Sequence, residues 1–168
     1  MTPLGLTAPD SWQAVRAGVC GVGPITQYDT AGKKVTLAAE VKGFDPEQYV
    51  SRMEAKHMGR FTQLALAAAK EALADSSVNL ERLDLDRCGV IVSSGIGGQA
   101  ITESECLKGA ERNWDRVSPY YIPTAICNMA AGQIAIHAGF RGMCSCPVTA
   151  CAGGTNAVGD AFRYIRDG

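Results

Sequence analysis

No stretch of this sequence approaches the roughly eighteen to twenty consecutive apolar residues that a membrane-spanning helix requires. The N-terminus lacks the basic segment and apolar core of a secretory signal. These two absences predict a cytoplasmic protein with no membrane partner. Excess charge is missing as well: 16 Lys+Arg face 17 Asp+Glu, the net charge is −1, and like charges do not run in blocks. Nothing therefore calls for nucleic acid or an anionic surface as partner. Internal repeats and low-complexity tracts are absent, so the chain reads as one compact unit.

A disulfide framework is also lacking. The seven cysteines are odd in number and irregular in spacing, which suits a reducing compartment where free thiols persist and one or more can react. The spacings among Cys144, Cys146 and Cys151 are C-x-C and C-x₄-C, without the second paired motif of a zinc site. Neither a metal nor another cofactor is expected.

What is present is apolar side chain: 46% of the 168 residues are hydrophobic, enough for a substantial core. Asp10 is expected to cap a short helix through Ala17 that Gly18 ends, and a short strand is expected near residues 35–41. Over residues 54–74, Met58, Phe61, Leu64, Ala65, Ala68 and Leu73 recur mostly at three- and four-residue intervals, which predicts one long amphipathic helix. Cys88-Gly89-Val90-Ile91-Val92 reads as a buried strand, followed by a glycine turn and a helix near residues 99–110. A small-residue helix over 128–138, a turn, and a strand over 143–150 lead into a last helix expected to begin at Cys151. Alternating strands and helices predict an α/β layered fold.

The junction of that last strand and helix is the most informative segment, because it places Cys151 at a helix N-terminus. Unpaired N–H groups and the helix dipole stabilise a thiolate there, and the same groups can bind an oxyanion. Gly153 and Gly154 clear the first turn so that substrate or backbone can come close, at up to about 1 kcal/mol each in helix propensity. Val158, Ala161, Phe162 and Ile165 form an apolar stripe that predicts a buried helix aiming Cys151 inward. The competing reading is that Cys151 is only a small core residue.

Taken together, Val148-Thr149-Ala150-Cys151-Ala152-Gly153-Gly154-Thr155-Asn156-Ala157-Val158-Gly159-Asp160-Ala161-Phe162 closely resembles the active-site segment of the type II β-ketoacyl-acyl-carrier-protein synthases of bacterial fatty-acid elongation. Further matching segments are Ser93-Ser94-Gly95-Ile96-Gly97-Gly98, Ser118-Pro119-Tyr120-Tyr121-Ile122-Pro123, Asn128-Met129-Ala130-Ala131-Gly132 and Gly139-Phe140-Arg141-Gly142, all in the family's order. The resemblance implies a thiolase-like layered α-β-α-β-α fold in a homodimer, of which residues 1–168 are the N-terminal ketosynthase domain. It implies acyl transfer to Cys151, whose own N–H contributes to the oxyanion hole, then decarboxylative Claisen condensation with a malonyl-acyl carrier protein.

Residue by residue, Ile96 matches a position lining the acyl pocket and is the chain-length candidate. Arg52, Lys56 and His57 fall where the family presents positive charge to the acidic acyl carrier protein, although Met53 stands where lysine is often found. The two histidines, the lysine and the Gly-Phe segment that complete the family's site belong to its second half, and a first strand should precede Thr2-Pro3-Leu4-Gly5. The chain is accordingly expected to be a fragment that does not condense by itself.

Other readings are weaker. Gly95-Ile96-Gly97-Gly98-Gln99-Ala100 satisfies a loose dinucleotide-binding pattern, but Asp115 does not end a second strand as the ribose-binding acid should. His137 could serve Cys151 as a base, yet on an apolar helix a structural histidine is the better expectation. Arg141 and Asn128 read as backbone anchors, and Trp114, Tyr120 and Tyr121 as core or interface aromatics. A polyketide ketosynthase and a non-catalytic scaffold are the alternatives for function.

Overall fold

The computed structural model describes residues 1–168, which divide into two compact units, Met1–Asp45 and Pro46–Gly168. In the first, helix α1 (Ala8–Arg16) is followed by a two-residue antiparallel ladder of β1 (Gly23–Pro24) and β2 (Leu37–Ala38). The cap of α1 differs from expectation: Thr7, not Asp10, is the N-cap, and its hydroxyl accepts the Asp10 N–H at 3.1 Å while donating to the Asp10 carboxylate at 2.7 Å. Pro9 explains the shift, since proline is favoured in a first turn whose N–H groups have no helical partner. Gly18 does end the helix, at φ +67°. Across the ladder, the Glu40 carboxylate accepts both the N–H and the hydroxyl of Thr26, and these bonds lower its pKa.

The second unit opens with two helices where one was expected: α2 (Arg52–Lys56) and α3 (Arg60–Asp75). Ser51 and Glu54 form a reciprocal capping box at the start of α2. The break lies at Gly59, whose extended ψ of 152° makes it the N-cap of α3 and which sits so close to the Thr124 carbonyl that a β-carbon would approach it to 2.5 Å. Periodicity alone runs through this point because Met58 is buried on the same core as the residues of α3.

Strand β3 (Val90–Ile91) pairs in parallel with β4 (Cys144–Ser145), and between them come α4 (Gln99–Glu111), α5 (Tyr121–Ala125) and α6 (Met129–Ala138). Gly139, at φ +71°, closes α6 in the left-handed conformation that glycine adopts without strain. After β4, a single 3₁₀ turn (Ala150–Ala152) leads to α7 (Gly153–Asp167). The strand expected over 143–150 is thus short: Pro147 cannot donate to a ladder, and residues 146–149 run outside the sheet.

The core gathers Val50, Ala55, Met58, Leu66, Val90, Ala131 and Ile134; α3 packs on α6, and Ala67 of the one and Ala131 of the other are fully buried. Successive side chains of a strand point to opposite faces. Val90 accordingly joins Ala131 and Ile134 of α6, while Ile91 lines a groove with Ala161 and Ile165 of α7. The parallel pair therefore lies between α6 and α7, a layered α/β arrangement. Arg141 ties the turn before β4 to the one before β3, donating from its backbone to Leu85 and from Nε to Asp86 at 2.5 Å.

One expectation fails on exposure. The stripe of α7 is not buried among these residues: Val158, Phe162 and Ile165 are 72%, 62% and 83% exposed, and only Gly153 and Ala157 of that helix are buried. Of the aromatics expected in the core or at an interface, Trp114 and Tyr120 are exposed, which excludes only the core half of that expectation for residues 1–168, and Asn128 holds the N-cap position of α6 without a side-chain capping bond.

Candidate active site

The site forms where three connections converge: the loop after β3, the junction of α5 and α6, and the link from β4 to α7. Cys151 sits in the middle of the 3₁₀ turn, exposed, immediately before the first turn of α7. Within residues 1–168 Cys151 is not packed into the core. The helix begins at Gly153 rather than at Cys151, so residue 151 comes just before the first turn of a fifteen-residue helix, whose leading N–H, that of Gly153, is taken by the Ala150 carbonyl. Ala150, directly before it, has φ +48°. A non-glycine residue in this left-handed region costs about 1–3 kcal/mol, and such strain concentrates where a side chain is held for function.

Gly153 explains how the turn is seated. A β-carbon there would overlap the Ser93 hydroxyl, so only glycine lets the head of α7 press against the loop that follows β3. Gly154 faces open space and carries no such constraint.

That loop carries Ile96, which is 70% exposed. Its geometry is held from both sides: Ser94 Oγ accepts the Gly97 N–H at 3.1 Å, and the Gly98 N–H donates to the Ala125 carbonyl at 2.7 Å. Gly97, at φ +75°, is wedged against the backbone of Ala125 and Cys127. Ile96 therefore projects from a loop whose start touches the helix after Cys151 and whose end is bolted to α5.

The basic candidates lie apart from this cluster, on α2. Arg52 pairs with Glu47 at 3.7 Å on the surface, and Lys56 is exposed in the last turn. His57 caps α2 and is half-buried, its ring stacked on Tyr120 at 4.1 Å and 27°. Sequence reasoning missed this stack, for which a separation of 63 positions gives no local signal. His137 approaches Glu54 Oε1 to 3.8 Å and is largely buried on α6, which favours the structural histidine over a base for Cys151. Glu54 has its pKa lowered, chiefly by the Ser51 hydroxyl and backbone N–H.

An open groove of about 650 Å³ lies between the strands and the end of α7, lined by residues including Ile91, Phe140, Met143, Tyr164 and Ile165. Ile165 is fourteen residues beyond Cys151, roughly 20 Å along the helix at 1.5 Å per residue, so this groove is not where the Cys151 sulfur works.

Comparison with known proteins bears on this arrangement. The family model "Beta-ketoacyl synthase, N-terminal domain" matches residues 1–168. Two similar relatives are 3-oxoacyl-[acyl-carrier-protein] synthase 2 of Synechocystis sp., 41% identical over 168 residues, and the protein of the same description from Staphylococcus aureus, 39% identical. All of the chain is covered in both, against 40% and 42% of the relatives, so it spans about two-fifths of their length. Among solved structures, the ishigamide ketosynthase/chain length factor superposes at a TM-score of 0.88 over 99% of this chain and 42% of that one, with 25% identity. A β-ketoacyl synthase from Burkholderia phymatum gives 0.78 over 99% of this chain and 41% of that one, at 22% identity, which speaks to the fold alone. Residues 1–168 match the model of the N-terminal domain throughout, and the chain belongs to the β-ketoacyl synthase family.

Proposed function

We propose that this chain is the nucleophile-bearing domain of a 3-oxoacyl-acyl-carrier-protein synthase of fatty-acid elongation. The observation that carries the reading is Cys151: exposed, at the head of α7, behind a strained Ala150 and braced through Gly153 on Ser93. In the first half-reaction the Cys151 thiolate attacks the carbonyl of an acyl thioester on the acyl carrier protein, and the carrier's thiol leaves. The N–H of Cys151 itself would receive the oxyanion, since the Gly153 N–H is engaged by the Ala150 carbonyl. In the second, a malonyl-acyl carrier protein loses carbon dioxide and its carbanion attacks the acyl-Cys151 carbonyl. The Cys151 thiolate departs, leaving a 3-oxoacyl chain two carbons longer.

Ile96 is proposed to line the acyl channel, and Arg52, Lys56 and His57 to meet the acidic carrier. Arg52 and Lys56 fit that role as exposed cations, whereas His57 supports it through its packing on Tyr120. The decarboxylating acid–base groups are assigned outside residues 1–168, because His57 is held by Tyr120 and His137 by Glu54. By itself the 168-residue chain should not condense. The apolar stripe of α7 is proposed to be covered in the complete protein, and a homodimer meeting at β4 fits a strand with a single ladder partner. Seven free cysteines suit a cytoplasmic setting, and no helix is long and apolar enough to cross a membrane.

A polyketide ketosynthase is the second reading. It is favoured by the 0.88 superposition on the ishigamide ketosynthase/chain length factor, against the higher identity of 39–41% to the 3-oxoacyl synthases. Substitution of Cys151 by alanine in the full-length enzyme tests the proposal. Elongation of acyl-acyl carrier protein should fall by at least about a thousandfold, as for loss of a covalent nucleophile. Retained elongation would refute it, and iterative extension without reduction would favour the polyketide reading.

A further inference from the structure

Outside the proposed nucleophile, two other cysteines meet. Cys127 follows α5, Cys146 follows β4, and the fold brings them together although they lie nineteen positions apart. The Cys146 sulfur donates to the Cys127 carbonyl oxygen at 3.5 Å and lies 4.0 Å from the Ser94 carbonyl. That bond seats the Cys146 sulfur directly on the backbone of Cys127. Both residues are partly accessible, so a small oxidant can reach the pair. No other two of the seven cysteines share a contact of this kind.

From this juxtaposition we infer that Cys127 and Cys146 are a dithiol modification site, closed to a disulfide by small-molecule disulfides such as oxidised glutathione. The step is an exchange. A Cys127 thiolate attacks the disulfide, forming a mixed disulfide and expelling one glutathione thiolate. Cys146 then loses its proton and attacks the Cys127 sulfur, expelling the second glutathione. One disulfide is reduced as one is formed, and the protons pass to the departing thiolates. Burial holds the Cys146 thiol above its ordinary pKa, which suits it to the second, intramolecular step rather than to the first encounter.

The bond would join the α5–α6 junction to the link between β4 and α7, two of the three connections that form the candidate site, without consuming Cys151. Tryptic mapping tests the assignment, because residues 117–141 contain Cys127 alone and residues 142–163 contain Cys144, Cys146 and Cys151. After incubation with oxidised glutathione and alkylation of remaining thiols, the two peptides should appear joined and two hydrogens lighter than their sum. Fragmentation should place the bond at Cys127–Cys146. Cys144→Ser and Cys151→Ser variants should keep the link, and Cys146→Ser should lose it. A link through Cys144 or Cys151, or Cys127 found only free or glutathione-capped, would overturn the assignment. Because the link is expected with or without the Cys151 thiol, neither result depends on Cys151 being the acyl acceptor.

Discussion

Gly153 meets the Ser93 hydroxyl so closely that no side chain can stand between them. One glycine thereby decides how the head of α7 rests on the loop after β3, and with it where the preceding turn holds Cys151. Gly153→Ala should destabilise the protein by about 1–3 kcal/mol through overpacking. Gly154→Ala faces open space and should be neutral or stabilising by up to about 1 kcal/mol. Pairing Gly153→Ala with Ser93→Gly removes the obstructing side chain, so urea denaturation of the double variant should show recovery beyond additivity.

Acid should weaken the capping box. Glu54 has a folded pKa depressed below its ordinary 4.5 by the Ser51 hydroxyl and N–H, so its contribution is complete above that value and is lost as pH falls through the folded one. Glu40, Asp86 and Glu105 are shifted in the same direction, by Thr26, by Arg141 and by Lys108 with the Ser118 N–H. Stability measured from pH 6 downward should therefore decline, and Glu54→Gln should flatten part of that decline. An unchanged acid slope in the variant would contradict the capping role.

The stripe on α7 predicts association. Val158, Phe162 and Ile165 present apolar surface that monomers seldom leave open, so the 168-residue chain should self-associate or bind a hydrophobic dye. Phe162→Glu with Ile165→Glu should restore a monodisperse monomer in light scattering, with helix content retained.

Ile96 and the basic helix carry the remaining predictions, both read in the full-length enzyme. Enlarging Ile96 to phenylalanine should shorten the accepted acyl chain, seen as a shift in product lengths. Reversing Arg52 and Lys56 to glutamate should raise KM for the acyl carrier protein with little change in kcat, and the penalty should shrink as salt rises.

Much of this was legible in the sequence, and what was not has identifiable causes. Helices α4 and α6 fell within a residue or so of expectation, because a strand-glycine-helix pattern and a terminal Gly139 mark their ends. The break at Gly59 was hidden by a core that Met58 and Leu66 share, although Ser51 and Glu54 spelled out a capping box that could have marked a second helix start. The exposed stripe of α7 shows the limit of amphipathicity: it identifies a face made to be covered and is silent on what covers it. The left-handed Ala150, the stack of His57 on Tyr120 and the meeting of Cys127 with Cys146 are tertiary outcomes without local signal. Leu66 was not among the residues picked out for the apolar face of that helix, yet it is 2% exposed in the core, and Leu66→Ala should cost about 2–5 kcal/mol in denaturant titration.

The most direct test is the mass of the acylated protein. Exposed briefly to a reactive acyl thioester near neutral pH and digested, the chain should carry the acyl mass on residue 151 within peptide 142–163, with Cys127, Cys144 and Cys146 unmodified. Acylation spread over several cysteines, or absent from Cys151 while another bears it, would contradict the assignment of this sulfur as the acceptor.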